Sequence, residues 1–158
     1  MTTTSLLQTC PVPGERVALE AGFRADPGRW LPAPVEPAGL DRWVVRLDAG
    51  RFSRPVLATV GPAWDLGEMT WRMLGWEPVA EDGEPAALER MLPGFAGEIG
   101  LRRVASPTLV VQGGYEPPLG AMGRRLDAAV LHRLADRTLR GLVVAVAKRL
   151  SEPNLVVR

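Results

Sequence analysis

Residues 124–150 read RRLDAAVLHRLADRTLRGLVVAVAKRL, and this stretch carries the strongest structural signal in the chain. Its apolar residues recur at the spacing of one face of an α-helix. They are Leu131, Leu134, Ala135, Leu139, Leu142, Val146 and Leu150. Basic residues, among them Arg133 and Lys148, fall on the opposite side. A helix over these residues is about 40 Å long, so the sequence predicts one C-terminal helix able to cross a whole β-sheet.

The chain before this helix favours a sheet. Short runs with strand character occur at 5–10, 41–47, 54–60, 68–76, 95–104 and 107–115, and the short turns between the later runs predict an antiparallel meander. Two short helices are expected after the first strand, at 15–22 and 26–31, the second with Asp26 as its cap. The proline-rich residues 32–37 are expected to form a surface connection, residues 81–89 are acidic and turn-like, and residues 61–67 have no clear pattern.

A glycine-rich segment, GGYEPPLG at 113–120, joins the last predicted strand to the helix. A phosphate cradle needs backbone N–H donors, and Pro117 and Pro118 remove two of them. No Gly-Lys-Ser/Thr follows, and there is no Gly-x-Gly-x-x-Gly pattern. The glycines are therefore interpreted as residues for tight turning and for close approach of helix to sheet.

Composition narrows the function classes. The 158 residues suit one domain, and a formal net charge of +1 argues against a nucleic-acid binder. Cys10 and His132 are the only cysteine and histidine, too few for a zinc site built from these ligands, so we expect no metal and no cofactor. No apolar run approaches the ~20 residues of a membrane span, and the N-terminus does not resemble a secretory signal. These features predict a cytoplasmic protein without a transmembrane segment.

Three short segments carry a resemblance to a known superfamily. They are PVPGERV at 11–17, DPGRWLP at 26–32 and GGYEPPLG at 113–120. With the order of the predicted elements, they resemble the START-like or SRPBCC superfamily, which includes lipid-transfer domains, birch-pollen-allergen-like proteins and polyketide cyclases. The resemblance implies one domain over residues 1–158 with an α+β helix-grip fold. In that fold an antiparallel sheet wraps around a long C-terminal helix and leaves an apolar space between them.

Candidate ligand contacts on the strands follow from alternation. In the run 68–76, Trp71 and Met73 share one side, and Arg72 lies on the other. Aromatic and methionine side chains suit an apolar pocket, so Trp43, Trp71, Met73 and Tyr115 are candidate lining residues, with an ordinary core role as the alternative for the tryptophans. Arg46 and Arg72 are candidate anchors for an acidic head group if they point inward, but an exposed position on the outer side is the favoured alternative for both.

Candidate contacts on the helix lie on its apolar face. Asp127 and Thr138 fall beside Leu131 and Leu142 on a helical wheel. All four are candidate ligand contacts. A polar group there must find a partner or meet water, so each of the two polar residues has a local alternative. Asp127 is suited to capping the helix, and Thr138 to bonding the carbonyl one turn back.

The leading hypothesis is a protein that binds a hydrophobic or amphipathic small molecule, such as a lipid, between sheet and helix. A polyketide cyclase- or dehydratase-like enzyme is the second hypothesis, with Asp127, His132 and Tyr115 as the candidate acids or bases. A protein-interaction domain with a closed cavity is the third. The acidic segment and the basic helix side also leave a homodimer open.

Overall fold

The computed structural model describes residues 4–49, 52–79, 94–104, 106–116 and 128–152. These residues form one antiparallel sheet and two α-helices. The strands are β1 Thr4–Pro11, β2 Val35–Gly39, β3 Arg42–Ala49, β4 Phe52–Val60, β5 Trp64–Leu66, β6 Met69–Pro78, β7 Gly94–Arg102 and β8 Thr108–Glu116. The helices are α1 Arg16–Arg24 and α2 Ala128–Ser151, with a 3₁₀ turn at Pro27–Arg29. The α+β architecture predicted from the sequence is confirmed.

The strands pair in the order β1-β8-β7-β6-β4-β3-β2, and β5 pairs with β6 beside this path. The first strand therefore lies against the last one, with Thr4 opposite Tyr115 and Pro11 opposite Thr108. The remaining neighbours form the expected meander, except that β4 pairs with β6 and the short β5 pairs with β6 alone. The sheet ends in two edge strands, β1 and β2.

Two strands differ from the sequence expectation. The proline-rich connection expected at 32–37 contains the start of β2, which pairs with β3. Proline is tolerated there because β2 is an edge strand and one of its sides needs no ladder donor. The unpatterned residues 61–67 contain the three-residue strand β5, which is too short to show a period. The acidic residues 81–89 lie outside the described part of the chain.

The first helix begins with an acidic cap. The carboxylate of Glu15 accepts hydrogen bonds from the backbone N–H groups of Val17 and Ala18, at 3.0 and 2.9 Å. These bonds lower the pKa of the Glu15 carboxyl below its ordinary value. The sequence predicts that the helix ends at Gly22, but it continues to Arg24. Gly22 is part of the helix. Asp26 caps the 3₁₀ turn through a 2.9 Å bond from the Gly28 N–H, as the sequence predicts.

The long C-terminal helix packs against β1, β3 and β8. Its buried residues are Ala135, Thr138, Leu139, Leu142, Val143, Val146 and Ala147. Arg133, Arg137, Arg140 and Lys148 are exposed on the other side, as predicted. Burying one leucine or valine side chain contributes about 1.5–3 kcal/mol, so this face contributes strongly to the core. The expected start of the helix near residue 124 lies outside the described residues.

Burial along β6 separates the two sides of the sheet. Thr70, Arg72, Leu74 and Trp76 are buried, whereas Met73 is 52% exposed. The buried side faces α2, and we call it the helix-facing side; the other is the outer side. The predicted alternation is confirmed. The burial pattern shows which side of β6 faces the core, whereas the alternation in the sequence shows only that the strand has two different sides.

Candidate ligand-binding face

A row of aromatic side chains crosses the helix-facing side of the sheet. Tyr115 pairs with Phe95, Phe95 with Trp76, and Trp76 with Ala58. Trp43 follows as the partner of Ala58. Cross-strand partners point to the same side, and all four aromatic residues are buried. We call Tyr115, Phe95, Trp76 and Trp43 the aromatic row. Its centre is a stacked pair, with the rings of Trp76 and Phe95 4.5 Å apart at 18°.

Two glycines lie beside this row. Gly97 and Gly113 are cross-strand partners on the same side of the sheet. A Cβ atom added to Gly113 would come within 2.8 Å of Cζ of Phe95, and one added to Gly97 within 2.1 Å of the carbonyl oxygen of Gln112. The two strands thus approach too closely for any side chain, and the Phe95 ring lies over the Gly113 position. Gly113 and Gly114 belong to β8, and the close approach at Gly113 is between two strands, whereas the sequence predicts a close approach of helix to sheet.

Tyr115 lies at the end of the row next to α2. Its ring centroid is 6.3 Å from that of His132, at 49°. Tyr115 is buried, whereas His132 is exposed. The histidine is therefore at the rim of the helix-facing side, where it contacts both water and the aromatic row.

Thr138 and Leu142 are buried on α2, as their positions in the apolar face predict. The Thr138 hydroxyl donates a 2.8 Å hydrogen bond to the Leu134 carbonyl, one turn back. Of the two interpretations of this threonine, the local one is observed, because the bond satisfies the hydroxyl without a ligand. The Leu131 side chain and Asp127 lie outside the described part of the structure, so their predicted roles stay predictions.

Arg72 is buried on the helix-facing side, where an exposed outer position had been favoured. Its Nη1 donates to the carbonyls of Phe23 and Ala25 at 3.0 and 2.9 Å, and its Nε donates to the Gly61 carbonyl at 2.8 Å. The guanidinium also lies 5.9 Å from the ring centroid of Trp30. Burial lowers its pKa. With these donors engaged by backbone, Arg72 acts as a structural tie between β6 and α1.

Two other predicted contacts lie on the outer side, and a third, Arg46, lines a surface depression with Ala145, Lys148 and Arg149 of α2. Met73 is largely exposed, and the Trp71 ring lies over Gly100, whose added Cβ would be 2.5 Å from it. Their expected place between sheet and helix is corrected, because the larger apolar side chains of β6 are not all on its core side. Arg46 is half-buried and alternates with buried Val45 and Leu47. Its Nη2 donates to the Ser53 carbonyl at 3.0 Å, along the β3–β4 hairpin.

One charged residue of the helix-facing side was not among the sequence candidates. Arg54 pairs with Leu47 and is only 8% exposed. The next residues of β4 on its side, Val56, Ala58 and Val60, are fully or almost fully buried. Alternation along 54–60 was the signal that could have identified it, because the three apolar residues place Arg54 on the core side.

Three surface depressions formed by described residues, of about 370, 540 and 560 Å³, do not involve the aromatic row. The largest lies on the outer side and includes Leu7 and Met73. Within the described ranges, no three His, Cys, Asp or Glu side chains are grouped so that they could hold a metal ion. Neither described helix combines the length and the apolar character needed to cross a membrane.

No protein-family model matches this sequence, and no curated protein matches it either. The structure is nevertheless similar to solved structures over nearly its whole length. One is the Zhui aromatase/cyclase from a Streptomyces species, with a TM-score of 0.57 and 13% identity over 94% of both chains. A second is Ara h 8.0201, with a TM-score of 0.55 and 10% identity over 96% of this chain and all (100%) of that one. A third is a norcoclaurine synthase point mutant from Thalictrum flavum in complex with a transition-state analogue, with a TM-score of 0.50, 12% identity and 96% coverage of both chains.

The chain has the helix-grip fold that the sequence predicts. The long helix lying across an antiparallel sheet, the two short helical segments after the first strand, and these three similarities all agree. At 10–13% identity the similarities define the fold, and the function has to be argued from the residues of this chain.

Proposed function

We propose that this protein binds a hydrophobic or amphipathic small molecule between the helix-facing side of the sheet and α2. The aromatic row carries the proposal. Binding sites for small molecules are mostly apolar, with a few placed polar groups. Four aromatic side chains in one register, with the Tyr115 hydroxyl at one end, match that description on the side that faces the helix. Removal of the ligand's apolar surface from water would supply most of the affinity.

The fold supports the same proposal. The similar structures include an enzyme named as an aromatase/cyclase and one solved with a transition-state analogue, so this architecture accommodates small molecules in other proteins. A lipid as the ligand, a cytoplasmic location and a homodimer stay predictions from the sequence. A protein-interaction domain with a filled interior is the alternative that the experiment has to separate.

Fluorescence titration with N-phenyl-naphthylamine, a neutral apolar dye, tests the proposal. Trp76→Phe changes the aromatic row, and Trp71→Phe is its matched control on the other side of the same strand. We expect saturable binding by the unmodified protein, weakened about fivefold or more by Trp76→Phe and unchanged by Trp71→Phe. No saturable binding, together with a clean apo mass in native mass spectrometry of the purified protein, would favour the filled interior instead.

A second candidate function is acid–base chemistry on the bound molecule, as in a cyclase. Its specific support is the contact between the Tyr115 and His132 rings. Their phenol and imidazole are groups that donate and accept protons. If the function is catalytic, Tyr115→Phe and His132→Gln will each lower the turnover of a cyclisable polyketide substrate about a hundredfold while the neutral dye still binds. Unchanged turnover in both variants would exclude this pair.

A further inference from the structure

We propose that the solvent side of α2 docks the protein on the surface of an anionic lipid membrane. This surface is separate from the helix-facing side of the sheet, so the inference does not depend on the proposed function. It concerns a row of exposed residues along α2, which we call the basic stripe: Val130, Arg133, Arg137, Arg140, Val144 and Lys148. At 3.6 residues per turn these side chains share about 80° of the helix circumference. They lie opposite the buried Leu142 and Val146.

Most of the positive charge of the basic stripe faces solvent. Within the part of the chain that the structure describes, Arg140 is the one cation of the stripe that has a carboxylate at ion-pair distance, with its Nη2 3.6 Å from Oδ2 of Asp136. Asp136 is also bound to β1, because its Oδ1 accepts a hydrogen bond from the side-chain amide of Gln8. An anionic surface would therefore meet cations whose charge is largely not offset by the protein.

Two valines favour a membrane over other anionic partners. Val130 and Val144 are 50% and 52% exposed, and Val144 lies between Arg140 and Lys148. A nucleic acid gains little from exposed valines, because its affinity for proteins rests mainly on phosphate contacts. The interface of a bilayer, in contrast, takes up apolar and basic side chains together. The combination on the basic stripe fits lipid better than it fits RNA or DNA.

The shape of the surface points in the same direction. Acidic and amphipathic peptides are typically bound in grooves, whereas the basic stripe is the convex side of a helix that packs on a sheet. Of the three depressions described above, one reaches the stripe, at Lys148. From Val130 to Lys148 the stripe is about 27 Å long, so its cations can contact several lipid headgroups of a flat surface at once.

The apolar face of α2 is used in the core, so the protein would lie on the bilayer without inserting this helix. Each basic side chain close to an anionic bilayer raises the affinity about fivefold. Screening by salt weakens such contacts, because the Debye length falls from about 10 Å at 0.1 M to about 3 Å at 1 M. The expected association is reversible and sensitive to salt.

Flotation with lipid vesicles tests the proposal. We expect the protein to float with vesicles that contain about one third phosphatidylglycerol in phosphatidylcholine, to be released at high salt, and not to float with phosphatidylcholine alone. The double variant Arg133→Gln/Arg137→Gln should weaken binding about tenfold or more. Arg42→Gln/Arg102→Gln is the matched control, because it removes the same charge from exposed positions on the outer side of the sheet. It should change the affinity by less than about twofold.

A second pair of substitutions tests the apolar contribution. Val130→Thr/Val144→Thr keeps the shape and the charge of the basic stripe but makes both valines polar. We expect affinity for the anionic vesicles to fall about threefold. Unchanged vesicle affinity in this variant, together with tight binding of polyuridylic acid by the unmodified protein, would assign the stripe to nucleic acid and overturn the proposal.

The arginine variants provide the other decisive outcomes. Equal losses in the two arginine pairs would mean that net charge is responsible and that the basic stripe is not, and a protein that does not float with anionic vesicles at low salt would remove the proposal outright. Near-ultraviolet circular dichroism checks that each variant is folded. If the Arg133→Gln/Arg137→Gln protein does not fold, Arg137→Gln alone decides: a loss of about twofold or more supports the stripe, and an unchanged affinity overturns it. Binding of the neutral dye should be unchanged in every folded variant, so failure of the dye to bind would affect the proposed function alone.

Discussion

The helix-facing side of the sheet has two differently built regions. The first region, which we call the α1 end, consists of Arg72, Phe23, Ala25 and Trp30. The Arg72 guanidinium donates hydrogen bonds to the carbonyls of Phe23 and Ala25, and the rings of Phe23 and Trp30 stack with their centroids 5.4 Å apart. The aromatic row, in contrast, is built mainly from side chains that stack across strands. In the first region the polar donors bind backbone carbonyls, whereas the second consists of buried aromatic side chains on the helix-facing side. We infer that the α1 end serves stability and the aromatic row serves binding.

The largest effect on stability is expected at the α1 end. Arg72→Met removes the donors of three backbone carbonyls, of which the Phe23 carbonyl accepts in the buried interior. We expect the free energy of unfolding to fall by about 3 kcal/mol, as measured by urea denaturation. The matched variant Arg46→Met, at a half-buried position, should lose less than about 1 kcal/mol. Similar losses of unfolding free energy in both variants would mean that the hydrogen bonds of Arg72 do not contribute more to stability than those of Arg46.

A slightly smaller effect is expected beside the aromatic row. In Gly97→Ala the new methyl group would meet the carbonyl oxygen of Gln112 and the backbone of Gly113. Strands β7 and β8 would have to separate, which costs about 2–3 kcal/mol. The added methyl would also push against Gly113, over which the Phe95 ring lies, so binding of the neutral dye should weaken as well. Denaturation and dye titration on the same sample measure both quantities.

Gly141 provides the control for that glycine. It lies in α2, and an added Cβ meets no other atom within 4 Å. Alanine is the better helix former, so Gly141→Ala should stabilise the protein by about 0.5–1 kcal/mol and leave dye binding unchanged. A stabilising Gly97→Ala would show that the close approach of β7 and β8 is not a constraint on the aromatic row.

Much of the fold could be predicted from the sequence because its signals are periodic. The spacing of α2 and the alternation of β6 predict an amphipathic helix and a two-sided strand, and both are observed. The alternation of residues along a strand shows that the strand has two different sides, but it does not show which side faces the core. Trp71 and Met73 were therefore expected between sheet and helix although they lie outside. Arg72 was expected outside and is buried, because its partners are backbone carbonyls that leave no mark in a sequence. The register that aligns Tyr115, Phe95 and Trp76 depends likewise on pairing between distant strands.

A modest effect is expected for Thr138→Val, which keeps the shape of the side chain and removes its bond to the Leu134 carbonyl. The loss of one buried hydrogen bond should lower the free energy of unfolding by about 1 kcal/mol. Affinity for the neutral dye should stay within about twofold, because the hydroxyl is already satisfied within the helix. A selective loss of dye affinity would assign Thr138 to the binding region and would place ligand contacts on α2 as well as on the sheet.

The smallest effect is expected for the pH dependence of stability that the Glu15 cap gives to the first turn of α1. The backbone bonds from Ala18 and Val17 lower the pKa of the Glu15 carboxyl in the folded protein. A carboxyl whose folded pKa lies below its unfolded value adds stability above the unfolded pKa, and this contribution is lost as the pH falls through the folded pKa. Glu15→Gln should therefore be less stable than the unmodified protein at pH 7, and the difference should shrink towards zero as the pH drops below about 4. Urea denaturation at a series of pH values measures it. A difference that persists undiminished at acid pH would mean that the carboxylate charge has no part in holding α1.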